Sequence, residues 1–134
     1  MRASRTTSAP ALNFPRFVLR TDGIVVLVGG IALIVGARPI SRALGVDHSF
    51  ILALLGIACL PYGVLLIMCP VHRRATLPPA IGNTVWVAIS VMMLIIGKPA
   101  FSGTGRWIVG ATAIVVALFA VVEFAAAQRT NTAG

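Results

Sequence analysis

The stretch Phe17–Ala37, FVLRTDGIVVLVGGIALIVGA, decides the fold. Its uninterrupted apolar part, Gly23 to Ala37, is 15 residues long. As a helix that part rises roughly 22 Å, short of a hydrocarbon core of about 30 Å. A helix that spans a bilayer here must start near Phe17, which draws Arg20, Thr21 and Asp22 into its first turns. Such a charged helix start needs partners, and the rest of the chain offers three further apolar stretches.

The composition excludes a soluble domain. Of 134 residues 58% are hydrophobic and 10% charged, with a mean hydropathy of +0.99. A soluble domain carries about 25% charged residues. The predicted class is an all-α bundle of four transmembrane helices, spanning about 17–37, 49–71, 79–97 and 106–128. A flexible basic tail over 1–16 precedes this single domain (17–128), and a short polar tail, 129–134, follows it. Arg38-Pro39 ends the first span and a polar link runs to His48. Pro61 interrupts the second span, predicting a kink near Tyr62. Pro78-Pro79 suits the start of the third.

The formal net charge of +8 does not indicate nucleic-acid binding. The basic residues sit in tails and loops, where topology determinants and contacts to anionic lipid are found. Arg2, Arg5, Arg16, Arg20, Arg73, Arg74 and Arg129 lie on the side of both termini, against Arg38, Arg42, Lys98 and Arg106 on the other. This bias predicts cytoplasmic termini in a plasma (inner) membrane. Arg73 and Arg74 are the candidate anionic-lipid contacts.

Shifting the chain by 61 residues lays Asp22 on Asn83, Leu33–Gly36 on Leu94–Gly97 and Ser41 on Ser102. This suggests two helix pairs of like orientation. Gly29, Ala32, Gly36, Ala113 and Ala117 are candidate helix-packing residues, because small side chains let membrane helices approach closely.

Three polar residues fall at similar depth in one leaflet: Asp22, Asn83 and Glu123. An intramembrane carboxylate is costly and faces the bundle interior with a partner. Arg20, Asp22, Asn83 and Glu123 therefore form a candidate polar cluster, with Arg20 pairing Glu123 bidentately. Two plainer readings compete with it. Asp22 with Thr21 would cap a helix start, and Glu123, close to Arg129, would snorkel to the interface. Trp86 reads as packing and Trp107 as an interface anchor.

No catalytic or cofactor constellation is found. His48 and His72 stand at opposite ends of the second span, about 36 Å apart on a continuous helix. Cys59 and Cys69, about 15 Å apart on the same span, read as small apolar side chains. No Cys/His group has metal-ligand spacing. No enzyme, metal or cofactor is expected.

The Arg20-Thr-Asp22-Gly23 lead, Leu60-Pro61-Tyr62, Gly82-Asn83-x-x-Trp86 and Glu123 together resemble the small four-helix integral membrane proteins of bacteria that have no assigned activity. The resemblance implies a fold and a membrane address, and no reaction. The size is also similar to that of four-helix multidrug exporters, whose key glutamate lies in the first helix, where this chain has none. The expected function is therefore a non-catalytic accessory or structural subunit, packing against a larger membrane complex or against copies of itself. The alternatives are a small ion- or proton-coupled transporter using Glu123 and Asp22, or an anionic-lipid-binding protein.

Overall fold

The computed structural model describes residues 13–69 and 73–129, with backbone alone at 13, 73–76 and 129. The basic tail over 1–12, the C-terminal residues from Thr130 and the side chains of Arg73 and Arg74 lie outside the described residues. Five helices follow in order: α1 (Asn13–Val35), α2 (Ala37–Leu44), α3 (Ser49–Met68), α4 (Arg73–Ile96) and α5 (Gly103–Arg129). Four of them hold stretches long and apolar enough to cross a membrane, Phe14–Val35, Ser49–Met68, Leu77–Ile96 and Gly103–Gln128. The chain is a small multi-pass integral membrane protein, an all-α four-helix bundle. Only 17% to 28% of each span is buried within the protein, so acyl chains are the natural solvent for the rest.

Two helices start earlier than expected. α1 starts at Asn13 rather than Phe17, with Pro15 in its first turn. α4 starts at Arg73 and carries Pro78 and Pro79 inside it. Pro15 falls in the first turn of α1, which has no use for the N–H a proline lacks, whereas Pro78 and Pro79 lie in the second turn of α4 and leave the carbonyls of the turn before them without those bonds. The link after the first span also contains a helix. α2 buries Ala37, Ser41 and Leu44 on one side while Arg38 and Arg42 stay exposed. Gly45, at φ 76°, ends it in the left-handed conformation. α3 runs as one helix through Pro61.

The near end of the bundle holds the start of α1 and α4 and the finish of α3 and α5. The far end holds α2 and the α4–α5 loop. α1 packs most extensively on α3, and α4 on α5; the two hairpins meet chiefly along α1 and α5. α1 and α3 touch backbone to backbone. A Cβ added to Gly30 would lie 2.9 Å from the carbonyl oxygen of Gly56, and one on Gly56 2.6 Å from that of Gly30. Gly23 and Gly63 repeat the arrangement at 2.8 Å each way. Carbonyls this close accept weak Cα–H···O bonds, which sustain helix pairs in lipid.

The packing face of α1 is thus Gly23 and Gly30, not the expected Gly29, Ala32 and Gly36. Gly29 has nothing within 4 Å of its would-be Cβ. Ala32 is exposed, and Gly36 makes the α1–α2 turn, where a Cβ would meet its own chain. On α5, Ala113 is buried and Ala117 half-buried; Ala120, Ala126 and Ala127 complete the covered side.

At the far end Ser102 ties the hairpins together. Its N–H donates to the Leu44 carbonyl at 2.8 Å and its hydroxyl to that of Ala43. The same hydroxyl oxygen accepts from the Gly105 N–H at 2.9 Å, capping α5. The register of α1 on α3 is therefore testable. Gly30→Ala or Gly56→Ala is expected to cost about 1–3 kcal/mol through overpacking and to lower the melting temperature in detergent. Gly29→Ala should leave it unchanged.

Candidate functional site

The candidate site lies toward the near end, where α1 and α5 meet and α4 closes against α5. Asn83 of α4 holds it together. Its Nδ2 donates to Glu123 Oε2 at 3.0 Å and to Asp22 Oδ2 at 3.3 Å. Glu123 is 0% exposed, Asp22 3% and Asn83 8%. The Asp22 and Glu123 carboxyls thus sit side by side on one amide nitrogen. Glu123 Oε1 is buried and, among the described residues, receives no hydrogen from any N–H or O–H. An ionised carboxylate only accepts, so Asp22 cannot supply that hydrogen while it carries a charge.

Helix geometry explains why these three side chains converge. Asp22 shares the inner face of α1 with Val18 and Leu19, which are buried. Glu123 shares its face of α5 with Ala120, Ala126 and Ala127 at positions −3, +3 and +4, all buried. Small side chains at those positions bring the α5 backbone close enough for Glu123 to reach across. Asn83 sits three residues after Ala80, which is 0% exposed. Pro15, Val18, Leu19, Ala80, Ala126 and Ala127 all lie between the cluster and the near end, and all are buried. They form an apolar plug over it.

Arg20 is not in the cluster. It is exposed, and the donor to Glu123 is Asn83. Residues two apart on a helix point in nearly opposite directions. With Asp22 turned inward, Arg20 is turned out. Neither plainer reading of the carboxylates survives. Asp22 lies well inside α1 and caps nothing, because the helix begins at Asn13. Glu123 does not snorkel, being fully enclosed. Thr21 instead donates to the Phe17 carbonyl at 2.8 Å. Ser90, buried on α4, donates to the Trp86 carbonyl at 2.9 Å, while Trp86 itself is exposed. Trp107 is 82% exposed near the far boundary.

Tyr62 is a neighbour of the site that sequence reasoning missed. Half-buried on α3, it holds its hydroxyl 3.5 Å from where a Cβ on Gly82 would stand. It lies within electrostatic reach of Asp22 and Glu123. The available signal was depth: Tyr62 is as far from the near end of α3 as Glu123 is from that of α5.

No protein-family model, curated protein or solved structure matches the chain. What the site can do must come from its own chemistry. Among the described residues no three His, Cys, Asp or Glu side chains gather to hold a metal ion. Two facing carboxyls and one amide can take up and release a positive charge. Asn83→Ala removes the amide that donates to both carboxyls and should cost about 1–3 kcal/mol. The expected readout is a lower melting temperature in detergent, partly restored by adding Asp22→Asn.

Proposed function

We propose that the chain is a small, non-catalytic membrane carrier coupled to an ion or a proton, with Asp22 and Glu123 as the coupling groups. One observation carries this reading. Glu123 is completely enclosed at membrane depth, beside a second carboxyl on the same amide, with one oxygen that no donor among the described residues reaches. A structural polar contact in a membrane satisfies itself, as Ser90 does on its own helix. Ionisable side chains enclosed within a membrane mark ion pathways and proton relays. The bias of basic residues supports cytoplasmic termini in a plasma membrane.

A second reading, an accessory subunit packed on another membrane protein or on its own copy, draws on the uncovered outer faces of the bundle. Phe50, Leu65, Val85 and Ile96 are among many large apolar side chains left exposed. A stoichiometric partner retained in mild detergent would favour it.

The carrier is tested with the purified protein in liposomes under a pH gradient. Wild type should pass protons or a monovalent cation above the rate of empty liposomes, and Glu123→Gln should abolish the difference. Wild-type flux no greater than that of empty liposomes overturns the proposal.

A further inference from the structure

The occupant of the site follows from the way its polar atoms point. A bound metal cation would want oxygens turned toward it, about six for a hard ion. Here the amide presents its hydrogen-bearing nitrogen to both carboxyls. That orientation suits anionic oxygens with a hydrogen between them and repels a cation. A proton needs only the two oxygens.

The position of the pair is as informative as its chemistry. Asp22 belongs to the α1/α3 hairpin, whereas Glu123 and Asn83 belong to the α4/α5 hairpin. The cluster therefore bridges the two hairpins at the near end. At the far end the bridge is of another kind. Ser102 binds the carbonyls of Ala43 and Leu44, and none of these groups titrates. The α1/α3 hairpin itself is locked by its reciprocal glycine contacts.

We propose that Asp22 and Glu123 share one proton, and that this proton latches the two hairpins together at the near end while the α2–Ser102 junction acts as the hinge. With the proton in place the pair carries one negative charge and a charge-assisted O–H···O bond. Its loss leaves two like charges across the joint. These like charges repel across the joint and work to part the helices against the packing of the small apolar plug. Water then reaches the site past the apolar plug. The step is a simple protonation: one proton is taken up and no other bond forms or breaks.

Among the described residues, the groups facing the pair from each packed element are few. α3 contributes Tyr62, with Cys59 deeper along the same helix beside Gly30, and α4 contributes the neutral Asn83. On α1 the cations Arg16 and Arg20 are exposed.

This inference rests on the carrier reading and refines it. The test places spin labels on cysteines introduced in a Cys59→Ala, Cys69→Ala background. Phe17 and Val121 report the near end, and Val35 and Trp107 the far end; all four are exposed. In liposomes the near-end distance should lengthen from acid to alkaline pH, while the far-end distance stays fixed. Asp22→Asn or Glu123→Gln, which places a permanent hydrogen between the side chains, should hold the near end short at every pH. An infrared titration of the otherwise unaltered protein supplies a readout that needs no variant. It should show one protonated-carboxyl band per chain, lost over the same pH range. A near end that does not move with pH, a far end that opens with it, or no such band overturns the latch. Proton flux with an unmoving near end defeats the latch and leaves the carrier standing. A moving near end without flux does the reverse.

Discussion

The structure depends on where buried hydrogens go in a medium that offers none. In lipid no water stands ready to satisfy a stranded oxygen, so each buried polar atom must find its partner within the protein. Asn83 has two hydrogens on one nitrogen and spends them on carboxyls from two different helices. The remaining oxygen of Glu123 has no donor among the described residues. Everything around the cluster follows from accommodating it: the alanines that bring α5 close, the plug of Pro15, Leu19 and Ala80, and the outward turn of Arg20.

The bundle is built from two kinds of joint. Within the first hairpin the backbones themselves touch at Gly23–Gly63 and Gly30–Gly56, and no rotamer change can loosen them. Between the hairpins, besides the packing of small apolar side chains, the polar ties among the described residues fall in two places, the amide–carboxyl cluster and the Ser102 cap. Stiff units joined at a few polar points are the natural construction for relative motion, since the points can change while the units do not.

The spans were legible in the sequence because lipid requires long apolar runs, and nothing else in a chain this short produces four of them. The convergence of Asp22, Asn83 and Glu123 was legible too, from depth and helix direction alone. Arg20 was misplaced although its spacing from Asp22 already set it on the opposite face. The packing face of α1 was missed because Gly29 and Gly30 are equivalent until the partner is known. The clue lay in α3, where Gly56 and Gly63 repeat the seven-residue interval of Gly23 and Gly30. α2 was hidden by its polarity, which suggests a loop unless Ala37, Ser41 and Leu44 are counted as one stripe. Tyr62 escaped notice because Pro61 drew attention to the backbone rather than to the hydroxyl beside it.

The spans are unequal in length, 20 residues in α3 against 26 in α5. At about 1.5 Å per residue these rise about 30 and 39 Å. Both cannot stand upright between the same two headgroup planes, so α5 either leans or overhangs. Membrane thickness then acts on the protein as a mechanical load, at a fraction of a kcal/mol per ångström of mismatch. The helix that bears this load is the one carrying Glu123, so a thinner or thicker bilayer would press on the carboxyl pair through the tilt of its own support.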